Sequence, residues 1–159
     1  MITRPLLVAA LLAAAFTTAS FAQPEEENLS RWKANMARHQ LVAMRGVPAP
    51  YAEMRDPTPD SDAKLKRGTM VFDRTCSSCH GWSGRGNGPE GFFLVPVPAD
   101  LEWLTGQPKD RAEPYIYWSI AEGGTRFQSE MPAFKDKLSK EDIWALTAYL
   151  RAGMPYKNP

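Results

Sequence analysis

The sequence predicts an all-α fold with long loops. Apolar side chains recur at helical spacing in several separate stretches, and each stretch is closed by glycine or proline. No run of alternating apolar and polar residues suggests a sheet, and there is no internal repeat. At 159 residues the chain suits one ordinary domain with a buried core.

The first 22 residues read as a secretory signal peptide. Arg4 supplies the charge, Leu6 to Phe16 is an unbroken apolar run, and Ser20-Phe21-Ala22 provides small residues around a cut before Gln23. The run falls short of the roughly 20 residues that cross hydrocarbon, so the reading expects no membrane span after cleavage. It places the protein in an oxidising compartment, most simply the periplasm.

Residues 23–60 form an N-terminal extension. A helix is expected from about Leu29 to Arg45, with Trp32, Met36 and Ala43 on one stripe and Arg31, Lys33, Arg38 and Arg45 on the other faces. Pro48, Pro50, Pro57 and Pro59 then imply an extended strap.

Residues 61–159 form the main domain. A second helix should start near Asp60 to Asp62, where acids suit its N-terminus, and carry Leu65, Met70 (or Thr69), Phe72 and Cys76 at helical spacing. Five glycines between Gly81 and Gly91 exclude regular structure there. Pro98-Ala99-Asp100-Leu101 suggests a short helical turn, and a third main helix is expected over Ala112 to Glu122, stopped by Gly123-Gly124. In the last helix Ser139 and Asp142 make a capping pair. Ile143, Leu146, Thr147 and Leu150 share a face, and Gly153 with Pro155 ends the helix.

Charge narrows the function classes. Apart from Arg4 the first 22 residues are uncharged, so the remaining 137 hold 18 basic and 18 acidic side chains. A neutral balance argues against nucleic acid as the main partner.

The chemistry lies in Cys76-Ser77-Ser78-Cys79-His80. Two thiols three positions apart can each add across a haem vinyl group, and the adjacent histidine then offers an imidazole nitrogen to the iron. A thioredoxin-type pair would follow a strand in a βαβ pattern, whereas a helix precedes this motif. A zinc site needs four ligands. After residue 22 the only cysteines and histidines are Cys76, Cys79, His39 and His80, and adjacent Cys79 and His80 would both have to reach one ion.

With that motif in place, residues from about Ser61 to Gly153 resemble the class I (monohaem) c-type cytochromes. Gly68 and Phe72, eight and four residues before Cys76, match a glycine–aromatic pair on the family's N-terminal helix. Leu146, Tyr149 and Leu150 match the helix that crosses it. The resemblance implies a cytochrome c-like helical domain around one covalent haem c, with Cys76 and Cys79 holding the porphyrin and His80 and Met131 binding iron. Met131 precedes Pro132, which biases it toward extended backbone. His39, the only other histidine, is the rival to Met131 as iron ligand, but on a basic helix outside the resemblance it reads more simply as a surface or capping residue. The resemblance also implies a proline carbonyl behind the proximal histidine, for which Pro89 is the candidate and Pro96 the rival. Trp82, Trp103, Trp118 and Tyr117 are candidates to pack on the ring, and Arg85 and Arg126 to neutralise its propionates.

The function implied is not enzymatic. It is one-electron transfer between periplasmic redox proteins, as a monomer or as a subunit of a redox complex. Arg126, Lys135, Lys137 and Lys140 would flank the haem edge, or form an ordinary solvated face. The alternatives are a haem enzyme or gas-binding protein with an open sixth position, and a haem-free thiol–disulfide protein.

Overall fold

The computed structural model describes residues 36–156. The expected signal peptide and the first part of the N-terminal helix, including Trp32, lie outside them. Among the described residues every regular element is helical. Residues 36–45 form α1, followed by α2 (Asp62–Thr75), α3 (Ser77–His80), α4 (Lys109–Glu122) and α5 (Lys140–Arg151), with short 3-10 turns at Tyr51–Glu53, Gly91–Phe93, Glu102–Leu104 and Thr125–Phe127.

Helices α2 and α5 begin where their caps begin. Ser61 Oγ accepts from the Lys64 amide at 3.2 Å, and Ser139 Oγ accepts from the Asp142 amide at 3.1 Å. Each bond satisfies one amide that the helix itself cannot. The two helices pack directly on each other, and Gly68 sits at the crossing. A Cβ there would lie 2.3 Å from the Ala145 carbonyl oxygen and 2.6 Å from Tyr149 Cβ. Beside the glycine, the Phe72 and Tyr149 rings meet at 5.6 Å between centroids. The inward stripe of α2 is Gly68, Val71 and Phe72, all buried. Met70, expected on that stripe, is 63% exposed, because Val71 takes the position one step further round the helix.

Helix α5 is buried from Ile143 to Leu150, more completely than its single expected face, because α2, α4 and the turn at Glu102–Leu104 all pack on it. Helix α4 starts at Lys109, three residues before its expected start. Pro114 sits near its beginning, where the missing N–H removes only one bond from the ladder. The helical turn expected at Pro98–Leu101 forms slightly later, over Glu102–Leu104.

The strap is anchored to the body rather than laid loosely over it. Tyr51–Glu53 makes a 3-10 turn packed on α4, and Tyr51 and Met54 touch the core. The Tyr51 hydroxyl donates to Glu122 Oε1, and Lys135 Nζ donates to both oxygens of the same carboxylate. These bonds hold the Glu122 carboxyl below its usual range. Burial, and then the carboxylate, push the Tyr51 hydroxyl up to about 12.

Two outcomes follow from this packing. Gly68→Ala gains at most about 1 kcal/mol of helix propensity but forces a clash of a kind that typically costs about 1–3 kcal/mol. Denaturation of the variant should therefore show a net loss of stability, and a gain would contradict the close crossing. Tyr51→Phe should cost about 1 kcal/mol. Glu122 has a lowered folded-state pKa, so its contribution is complete above the ordinary glutamate value of about 4.3 and is lost as pH falls through the lower folded value. Stability measured against pH should show a smaller acid-side loss in the Phe variant.

Candidate functional site

The α2–α5 crossing decides where the Cys-Ser-Ser-Cys-His motif emerges. Cys76 caps α2, its amide bonded to the Phe72 carbonyl at 2.8 Å. The chain then turns through α3, with the His80 amide bonded to the Cys76 carbonyl at 2.9 Å. This single turn brings Cys76, Cys79 and His80 onto the wall of one cavity.

The glycine-rich loop is laid tightly against the motif. The Gly88 amide bonds to the Cys79 carbonyl at 3.1 Å and the Glu90 amide to the Ser78 carbonyl at 2.9 Å. A Cβ on Gly88 would come within 2.3 Å of the Ser78 oxygen. The chain then runs through Pro96 to Pro98 and turns back, pinned by the Leu101 amide on the Gly84 carbonyl at 2.7 Å. This return places the Ala99 carbonyl 3.0 Å from His80 Nδ1. The expected proline carbonyl is therefore corrected: Pro89 is exposed, Pro96 lines the cavity, and Ala99 accepts the imidazole N–H. The bond orients the ring and leaves Nε2 for another partner.

Met131 lines the same cavity. Its loop is folded back on the end of α4, where the Gly124 amide bonds to the Met131 carbonyl at 2.8 Å and the Phe134 amide to the Ile120 carbonyl at 3.1 Å. Gly123 has φ +65° and no room for a side chain, since a Cβ would lie 2.5 Å from the Pro132 carbonyl carbon. The glycine pair that stops α4 thus also seats the methionine loop.

The N-terminal helix departs from expectation. Ala43, expected on its apolar stripe, is exposed, whereas Arg38, expected outside, is half-buried. Arg38 and His39 both line the cavity, so His39 is not a surface or capping residue. Its ring lies 4.6 Å from the Trp103 ring, edge-on, and 5.6 Å from the Tyr115 ring, stacked. His39 Nδ1 is 3.2 Å from the Tyr115 hydroxyl. Helical spacing did not place either residue on the cavity, because helix α1 meets it only through tertiary packing.

Of the aromatic candidates, only Trp103 lines the cavity. Trp118 is buried beneath Arg38, Tyr117 packs on Trp144, and Trp82 is exposed. Of the cation candidates, Arg85 pairs with Glu102 at 3.1 Å and Arg126 is exposed. Neither lines the cavity, whereas Arg38 does.

The side chains fit a haem. The cavity wall is mainly apolar, with Phe72, Leu94, Leu101, Ile116, Leu146 and Leu150 among its residues. Burial pushes His80 below the ordinary imidazole value, opposed by the Ala99 carbonyl, which favours the neutral form that a metal ligand requires. Burial pushes the Cys76 thiol up to about 11, the reverse of what an exchanging thiolate needs. Among the described residues no group of three or more His, Cys, Asp or Glu could hold a bare ion. Arg38 Nη1 and Ser119 Oγ are buried without a hydrogen-bond partner, and both residues line this cavity.

Gly123→Ala should unseat the methionine loop, since both its φ and its surroundings exclude a side chain. Hydrogen exchange should quicken at the Gly124 and Phe134 amides while the α2–α5 crossing stays protected. Unchanged exchange at those amides would contradict the packing described.

Comparisons with known proteins give the family. The family described as cytochrome C oxidase, cbb3-type, subunit III matches residues 63–150. A nicotinate dehydrogenase subunit of Pseudomonas putida is 32% identical over 113 residues, covering 71% of this chain and 9% of that protein. The cbb3-type cytochrome c oxidase subunit FixP of Sinorhizobium medicae is 37% identical over 93 residues, or 54% of this chain and 29% of that one. The chain thus spans less than a third of either relative. Cytochrome c550 of Pseudomonas aeruginosa is 26% identical over 122 residues, covering 71% and 76% of the two chains. A chain of the Kuenenia stuttgartiensis reducing HAO-like protein complex shares the fold, with TM-score 0.51 and 24% identity, covering 71% of this chain and 54% of its own length. With its family's model matched across more than half of its residues, the chain belongs to the c-type cytochromes described as cytochrome C oxidase, cbb3-type, subunit III, and its cofactor is covalently bound haem c.

Proposed function

We propose that the protein is a periplasmic one-electron carrier, passing electrons between redox partners or within a larger redox complex. In this reading Cys76 and Cys79 hold the porphyrin by thioethers, and His80 and Met131 take the two axial positions of the iron. The observation that carries it is that one cavity wall gathers Cys76, Cys79 and His80 while the loop after α4 brings Met131 to the same cavity. When bound, the haem supplies an Fe(II)/Fe(III) couple, and a thioether ligand favours the reduced state.

The protein's own residues orient and exclude. The Ala99 carbonyl fixes the proximal imidazole. Gly123 and Gly124 fix the methionine loop. Phe72, Leu146 and Leu150 form apolar wall, and a dry site lowers the reorganisation that accompanies a change of charge. With both axial positions filled, no site remains for a substrate on the metal, so the reading is a carrier rather than an enzyme. Its kinship to the nicotinate dehydrogenase protein and to FixP supports a place inside a redox complex. Export rests on the signal-like residues 1–22, and no helix among the described residues is long and apolar enough to cross a membrane.

His39 lines the same cavity and gives the experiment its second arm. In protein matured with haem, Met131→Ala should abolish the weak far-red iron–sulfur band of the oxidised form and admit carbon monoxide to the reduced form. His39→Ala should leave that band in place. Absence of the band from the unmodified protein, its persistence in Met131→Ala, or ready carbon monoxide binding by the unmodified protein would overturn Met131 as ligand. Mass spectrometry showing no added porphyrin would overturn the cofactor assignment itself.

A further inference from the structure

Helix α1 lies outside the residues matched by the family, 63–150, yet it places a guanidinium in the haem cavity. Arg38 is held on three sides. Its Nη2 donates to the Gly123 carbonyl, and its guanidinium carbon lies 5.2 Å from the Trp118 ring centroid and 4.9 Å from that of Phe127. Nη1 is buried without a partner, and among the described residues Arg38 forms no ion pair with a carboxylate. A guanidinium keeps its charge even when buried, and a buried charge without a counter-charge is expensive. Burial accordingly lowers the Arg38 pKa. The second unpartnered buried donor, Ser119 Oγ, lines the same cavity from α4. Two unused donors on one cavity, one of them cationic, describe the recognition of a carboxylate.

We propose that Arg38 and Ser119 form the site for a haem propionate, Arg38 Nη1 and Ser119 Oγ each donating to its carboxylate oxygens. The two donors come from α1 and α4, whereas the two cysteines come from the end of α2 and from α3. Porphyrin vinyl groups and propionates lie on opposite edges of the ring, so tethering at the cysteines leaves the propionates for other elements to receive. The inference rests on covalent haem and not on which residue binds iron opposite His80. It gives the N-terminal extension a role in tuning the cofactor: a cation at the propionate stabilises the reduced iron, and removing it favours the oxidised one.

The test uses the haem-loaded full-length protein. Arg38→Gln should shift the propionate bending mode in the resonance Raman spectrum. It should also lower the midpoint potential by the equivalent of about a tenfold change in the reduction equilibrium, about 59 mV for one electron. Arg38→Lys should restore most of the potential but not the band position, because a lysine cannot reproduce the guanidinium geometry. Ser119→Ala, which leaves the Arg38 contacts to Gly123, Trp118 and Phe127 intact, should shift the same Raman mode to a smaller extent. If Arg38→Gln does not fold, the Ser119 variant decides the matter alone. Unchanged propionate modes in both soluble variants, or in Ser119→Ala alone when the other is lost, would overturn the proposal. Loss of the far-red band with unchanged propionate modes in Met131→Ala would bear on the axial ligand and leave this site standing.

Discussion

The contact on which the rest of the structure depends is the approach of α2 to α5 at Gly68. With no side chain at that position, the Ala145 carbonyl and the Tyr149 side chain can press onto the α2 backbone. Phe72 fills the next turn against Tyr149, and Cys76 caps the helix one turn beyond that. The crossing thereby sets the position of the whole Cys76–His80 segment relative to α5, whose Leu146 and Leu150 form part of the cavity wall. An added methyl at residue 68 would move the tether, not merely loosen a core.

The cavity is completed by segments distant in sequence. His80 is oriented by the Ala99 carbonyl, nineteen residues further on. Met131 is carried by a loop seated by Gly123 and Gly124. The lateral wall takes Arg38 and His39 from a helix outside the family's span. The first two segments are placed by backbone hydrogen bonds and close approach, whereas α1 contributes through the side chains of Arg38 and His39.

What the sequence made legible is what is encoded over short spans. Ser139 announced the last helix because a cap acts on residues three positions away, and the acids around Asp62 announced the start of α2. Gly68 and Phe72 pointed to the crossing through their resemblance to the family's glycine–aromatic pair, and the close approach at Gly68 agrees. The pentapeptide from Cys76 to His80 pointed to the cofactor because a histidine directly follows the second of two cysteines spaced to reach the two vinyl groups. What was not legible depends on how the chain returns. Ala99 differs from the expected Pro89 because the length of the glycine-rich loop, not the identity of one residue, decides which carbonyl reaches the imidazole. Val71 rather than Met70 turns inward because the helix phase is set by its partner. Arg38 gave no signal, since a basic residue on a mostly polar helix has the appearance of a solvated one until α4 is placed beneath it.

The Arg38–Gly123 hydrogen bond has a mechanical meaning beyond its energy. Gly123 is joined directly to Gly124, whose amide grips the Met131 backbone. One side chain from the extension therefore touches the anchor of the methionine loop with one nitrogen and faces the cavity with the other. Any event that peels α1 away, such as a protease cut or the grip of a neighbouring protein, releases a mechanical brace and an electrical counterweight in one movement.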